Sequence, residues 1–181
     1  MWPHTVAILI GGQSKRMGSP KHLVRLQSGQ TMLETMLEFA SNLSGQVVIL
    51  GGEVKGQRCI PDIRHKQGPV AGIEALLHSE LDTEYLVVGC DMPSLTIDSI
   101  SPLIQCATSA LFSNNNRLLG LPLYVCGNVS TACSKYLDEG GRSIGGFVSQ
   151  IENTVIPLQG REAETFLSIN SLDDLDKFSL E

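Results

Sequence analysis

The segment Val6-Ala7-Ile8-Leu9-Ile10 restricts the possible folds more than any other. It is apolar at every position rather than at alternate ones, so an extended chain here must bury both faces. Strands of that kind belong inside parallel sheets covered by helices on each side. The run stops at Gly11-Gly12. Thr31-Met-Leu-Glu34 then has the spacing of a capping box, and Leu33, Met36, Leu37 and Ala40 recur at helical intervals. Together they predict an amphipathic helix over 31–43. Val47–Leu50 is a second buried strand, 58–60 a short third, 70–79 a helix and 85–88 a fourth strand. This β-α-β-β-α-β order implies an α/β fold with a mostly parallel sheet.

Beyond residue 95 the pattern loosens. A helix is expected over 97–106, kinked or restarted by Pro102. Strands are expected over 108–112, 118–126, 154–158 and 165–168, and helices over 129–138 and 142–150. Ser171-Leu-Asp-Asp174 should open a last short helix, with Leu172, Leu175 and Phe178 on one face.

Composition narrows the function classes. A chain of 181 residues, 42% hydrophobic and 18% charged, is long enough for one core, and the expectation is a single domain over 1–181. The net charge of −6 counts against a nucleic-acid binder but not against a nucleotide carried with Mg²⁺. The N-terminus has no basic leader and no apolar run reaches the length of a membrane span, so a cytoplasmic protein without membrane contact is expected. The five cysteines include no CxxC pair and read as reduced, buried thiols. The four histidines form no zinc-binding spacing.

In open parallel sheets ligands bind beyond the carboxyl ends of the strands. After the first strand comes Gly11-Gly12-Gln-Ser14-Lys15-Arg16-Met-Gly18-Ser-Pro-Lys21. Glycines let the backbone approach phosphate oxygens, Ser14 adds a donor, and Lys15, Arg16 and Lys21 place three cations in an otherwise acidic chain. The loop is neither a Walker A sequence nor GxGxxG, which sets aside the dehydrogenase class. After the fourth strand, Asp91 is a carboxylate that needs a partner if desolvated, and Mg²⁺ opposite a triphosphate would supply one. After the third strand, Asp62 is a carboxylate that could accept hydrogen bonds from a purine edge. Gly68 and Gly72 would allow close approach of a planar ligand or of the sheet.

These motifs, in this order, resemble the molybdenum cofactor guanylyltransferase family and, more broadly, the nucleotidyltransferases with a Rossmann-like fold. The resemblance is carried by Leu9-Ile-Gly-Gly12 with Ser14, Arg16-Met-Gly18 and Lys21, by Gly68-Pro-Val-Ala-Gly72, by Cys90-Asp91-Met-Pro93, and by Ile169-Asn170-Ser171-Leu-Asp-Asp-Leu175. It implies a three-layer fold with a nucleotide-binding N-terminal half and an acceptor-binding C-terminal half. It also implies transfer of GMP from GTP to the phosphate of molybdopterin, with Mg²⁺ as cofactor and pyrophosphate as product. By the same resemblance Leu9, Ile10 and Gly11 would meet guanine or ribose through their backbone. Gly12, Ser14, Arg16 and Lys21 would hold the phosphates. Asp62 would read the base or ribose, and Asp91 would bind the metal. Asn170 would serve the metal or the pterin side, and Arg142 would lie near the pterin. The lability of molybdenum cofactor adds cofactor-delivering or cofactor-accepting proteins as partners.

Ile10, Leu50, Ser168 and Pro102 depart from the family pattern. Two alternatives stand beside the guanylyl reading. One is a cytidylyltransferase or other nucleotidyltransferase acting on a small phosphorylated acceptor, against which Gly11-Gly12 favours guanine. The other is a non-catalytic nucleotide-binding regulator, against which the presence of both Lys21 and Asp91 argues.

Overall fold

The computed structural model describes residues 1–10 and 20–178. Seven strands form one sheet: β1 (Thr5–Leu9), β2 (Val47–Leu50), β3 (Cys59–Ile60), β4 (Glu84–Gly89), β5 (Ser109–Asn114), β6 (Arg117–Cys126) and β7 (Asn153–Pro157). Their order is β3-β2-β1-β4-β6-β5-β7. The first four are mutually parallel, β6 is antiparallel to both neighbours, and β5 and β7 run parallel to each other. The mostly parallel α/β sheet anticipated from the sequence is therefore observed.

The helices are α1 (Met32–Leu43), α2 (Pro69–His78), α3 (Ile97–Ile104), α4 (Ser130–Asp138), α5 (Ile144–Val148) and α6 (Leu172–Phe178). They explain the unbroken apolarity of β1. Val6, Ile8 and Ile10 pack with Leu33, Met36 and Phe39 of α1 and Ile100 and Leu103 of α3. Ala7 and Leu9 point the other way, among Val70, Ile73 and Leu76 of α2, Cys133 and Leu137 of α4, and Phe147 of α5. Each face of the strand has its own core, so every position from Val6 to Leu9 is apolar, while the buried Thr5 at its start donates its hydroxyl to Asp82. The capping box closes as expected: Glu34 N–H donates to Thr31 Oγ1 at 3.1 Å and Thr31 N–H to Glu34 Oε2 at 2.6 Å. Among the described residues no helix is long and apolar enough to cross a membrane.

Two expectations are corrected. Residues 97–104 form one continuous helix, and Pro102 does not restart it. The proline lies in the last turn, where its missing N–H forfeits a single intrahelical bond, and the helix ends two residues later. Residues 165–168 are not a strand; a 3₁₀ helix spans Gly160–Phe166 instead. A short apolar run does not by itself distinguish the two. Here only Phe166 is buried, its ring tilted against Phe112 of β5 with 4.4 Å between centroids, whereas Leu167 is 63% exposed. In α6, Leu175 and Phe178 cover Leu26, Met32 and Ile169. The placement of the Leu172 side chain lies outside the described residues.

Candidate active site

The carboxyl ends of β3, β2, β1 and β4 lie in a row along one edge of the sheet. Neighbouring strands are about 4.8 Å apart, so the chain leaving β3 and the chain leaving β4 stand roughly 14 Å apart, with the end of β1 between them. Leu9 and Ile10 are buried at that end. The Leu9 carbonyl accepts the Cys90 N–H at 2.9 Å, and the Ile10 N–H donates to the Leu50 carbonyl at 3.0 Å. Those two groups serve the sheet, so Leu9 and Ile10 set the depth of the strand end. Gly11, Gly12, Ser14 and Arg16, four of the expected phosphate and nucleotide contacts, lie outside the described residues.

Lys21 opens a 3₁₀ turn, Lys21–Leu23, and brings its ammonium to the end of β4. There Nζ donates to Asp91 Oδ2 at 2.7 Å and to Asn170 Oδ1 at 2.6 Å. The cluster joins residues from three distant parts of the chain, and all three were singled out in the sequence. Its geometry is built locally. The Asn170 amide nitrogen donates to the Ser168 carbonyl at 2.9 Å, which turns the amide oxygen toward Lys21. The Asn170 N–H donates to Asp174 Oδ2, and the Ile169 N–H donates to the Asp91 carbonyl, both at 2.9 Å. Hydrogen bonds from Ser171 and from the Asn170 backbone hold the Asp174 carboxyl below the usual carboxylate range.

Gly89 is a site feature the sequence reading passed over. A Cβ there would lie 2.5 Å from Asp91 Oδ1, so only glycine leaves the carboxylate where it is. The next residue, Cys90, is no nucleophile: burial, with Asp91 adjacent, pushes its thiol up to about 12.

Asp91 and Asn170 present two hard oxygen donors to one cation, here the Lys21 ammonium. That donor set also fits Mg²⁺. Among the described residues no group of three or more His, Cys, Asp or Glu side chains converges on a metal position. A metal at Asp91 would draw its other ligands from phosphate oxygens and water, the usual habit of Mg²⁺.

At the other end of the row, Asp62 follows β3. Its Oδ1 is buried without a hydrogen-bond partner among the described residues. Burial raises its pKa, with His65 pulling the other way. Gly72, in the second turn of α2, is what admits it. A Cβ on Gly72 would meet Leu9 Cδ2 at 3.1 Å, Leu50 Cβ at 3.4 Å and Asp62 Oδ1 at 3.5 Å. Leu50 is fully buried and presents no polar side-chain group at this point. Gly68, at φ +79°, precedes α2, and a Cβ on it would lie 3.5 Å from the Arg142 carbonyl. The structure therefore brings the Gly68 and Arg142 backbones together. The Arg142 guanidinium turns back onto the Leu137 carbonyl of α4 and the Gly141 carbonyl of its own loop.

A Gly-rich, basic sequence after the first strand, a carboxylate held by a lysine after the fourth and an orphan carboxylate oxygen after the third, on a mostly parallel sheet, are the features of an α/β nucleotidyltransferase. The family model for the MobA-like NTP transferase domain matches residues 6–152, and the chain belongs to that family. It is 30% identical to a molybdenum cofactor guanylyltransferase of Yersinia pestis over 95% of this chain and 93% of that one. A shorter match, 35% identical over 94 residues, joins it to a probable molybdenum cofactor guanylyltransferase of Pelotomaculum thermopropionicum. It spans 49% of this chain and 45% of that one. The fold matches the crystal structure of molybdopterin-guanine dinucleotide biosynthesis protein A from Archaeoglobus fulgidus. That match has a TM-score of 0.81 and 24% identity over 98% of this chain and 97% of that one.

Proposed function

We propose that this chain transfers GMP from GTP to the terminal phosphate of molybdopterin. An acceptor phosphate oxygen attacks the α-phosphorus of GTP, the bond to the bridging oxygen of the β-phosphate breaks, and pyrophosphate leaves with the electron pair. The products are the guanine dinucleotide cofactor and pyrophosphate. The observation that carries this reading is the Lys21–Asp91–Asn170 cluster, set at the carboxyl ends of the strands in a chain of this family.

Displacement at phosphorus asks the protein mainly for alignment and charge neutralisation. Lys21 and Arg16 would neutralise the phosphate oxygens on which negative charge grows, and Ser14 would add a hydroxyl donor. Asp91, supported by Asn170, is the residue that would hold Mg²⁺. When bound, the metal supplies a Lewis acid to those same oxygens. Asp62 lies at the far end of the row, where the nucleoside would reach. An ionised carboxylate only accepts hydrogen bonds, and guanine offers N1–H and the exocyclic amine on one edge. Arg142 and Asn170 border the acceptor side.

The test is incubation of the protein with molybdopterin, Mg²⁺ and either GTP or CTP. We expect pyrophosphate and the guanine dinucleotide cofactor from GTP, at least tenfold faster than any product from CTP, the scale set by an unpaired buried acceptor. Faster turnover of CTP would replace the reading with a cytidylyltransferase. Binding of GTP without pyrophosphate release would replace it with a regulator.

A further inference from the structure

We propose that Arg64 is a positioning residue for base recognition, acting by holding in place the loop that carries Asp62; this rests on the guanylyl-transfer reading above. The loop over 61–68 joins β3 to α2, and most of it faces solvent: Ile63 is 58% exposed and Lys66 adopts a φ of +59°. Among the described residues, every side-chain hydrogen bond from this loop to the rest of the molecule is made by Arg64. Its Nε donates to both oxygens of Glu74 at 2.9 and 3.0 Å, and a terminal nitrogen donates to Asp138 on α4.

Glu74 is the unusual member. It is 1% exposed within the apolar stretch of α2, and it also accepts a hydrogen bond from Ser134 of α4 at 2.7 Å. A buried carboxylate paired with a half-buried arginine gives little net stability compared with apolar side chains of the same volume; what it fixes is geometry. Here the fixed object is a loop. Two residues before Arg64, Asp62 lies against Gly72, with an oxygen buried and unpaired. An oxygen of that kind keeps its place only if the backbone on either side keeps its own. On one side β3 secures the chain through pairing with β2. On the other, Arg64 reaches across α2 to Glu74 and Asp138. The ion pair and the orphan oxygen thus mark the two sides of one short segment, a combination that simple tethering of α2 to α4 does not require.

The experiment compares Arg64→Ala, Arg64→Lys and the paired Arg64→Met/Glu74→Met variant with wild type and Asp62→Ala. The paired variant removes both charges without leaving one buried alone, and so keeps the fold testable. Nucleotide affinity is read by calorimetry with GTP and CTP in Mg²⁺, and kcat and KM by pyrophosphate release. We expect Arg64→Ala and the paired variant to lose about tenfold in GTP-over-CTP preference, as Asp62→Ala does. The loss should fall in affinity and KM, with kcat at saturating GTP within about threefold of wild type. Arg64→Lys should restore part of the preference, since it keeps the charge but not the two-oxygen contact. Asp62→Ala/Arg64→Ala should be no worse than Asp62→Ala, because both act through one contact. Retained preference in a folded Arg64→Ala or paired variant, or losses that multiply in the double variant, would overturn the proposal. Failure of the wild-type chain to prefer GTP would instead defeat the underlying functional reading.

Discussion

Lys21 and Asp62 represent opposite electrostatic situations in one row of strand ends. Lys21 has its charge matched by Asp91 and donates a further hydrogen bond to Asn170. Replacing it by Ala should lower kcat on the order of 10²-fold, the size typical of one preorganised charge-stabilising group, with the fold intact by circular dichroism. A change confined to KM would mean that the ammonium only recruits GTP. Asp62 has a buried oxygen without a partner, and its carboxyl is raised by burial. For a raised carboxyl the unfolded chain ionises first as pH climbs, so the group costs stability once pH exceeds its ordinary value of 3.8. Asp62→Ala should therefore stabilise the unliganded protein at neutral pH, on the order of 1 kcal/mol, while weakening GTP selectivity. Thermal melts at pH 7 check this, and a lower Tm would show that the carboxylate is satisfied in solution.

At the scale of elements, β4 and the segment before α6 build the site together. The turn from Gly89 to Asp91 has room for the carboxylate only because Gly89 lacks a side chain. Gly89→Ala should displace the Asp91 carboxylate from Lys21 and cut turnover by at least tenfold, with little change in melting, since the atom that must move is the end of a side chain. Turnover near wild type would show that Asp91 functions from another rotamer. The capping box at Thr31 and Glu34 was legible because it is local: three residues of spacing settle it. The 3₁₀ helix over Gly160–Phe166 was not, because what decides it is a distant ring, Phe112 on β5.

Across the whole molecule, the start of the chain is fastened to the far end of the sheet by Asp82. Its carboxylate accepts from the Thr5 N–H at 2.9 Å and the Thr83 N–H at 2.8 Å, and it pairs with His4 Nδ1 at 2.9 Å. Burial pulls this carboxyl up, but the bonds from His4 and Thr83 outweigh it and hold the pKa below 3.8. A lowered carboxyl contributes stability that is complete above its unfolded value and lost as pH falls through the folded one. The protein should therefore lose stability below about pH 3.8, and Asp82→Asn should flatten that acid limb while lowering stability at neutral pH. Equal acid limbs in wild type and variant, measured by denaturant titration from pH 2 to 7, would remove Asp82 from the account.

The sequence by itself determined the parallel, doubly covered half of the sheet, β1 to β4. Apolarity at every position from Val6 to Ile10 has one economical solution, burial on both faces, and the glycines and charges that follow fall at strand ends as a consequence. It also identified Lys21, Asp91 and Asn170, because a motif preserves residue types even when its members lie far apart in the chain. Tertiary structure alone decided how they combine. That Lys21 meets both Asp91 and Asn170, and that Arg64 fastens the loop of Asp62 to a buried Glu74, are contacts across 70, 149 and 10 residues of chain. Of the Arg64–Glu74 pair, only Glu74 leaves a trace in the sequence, as one charge inside an apolar helix, and one charge does not name its partner. Local spacing encodes caps and strands because their hydrogen bonds close within a few residues; a site assembled from several strand ends is encoded only in the packing that brings those ends together.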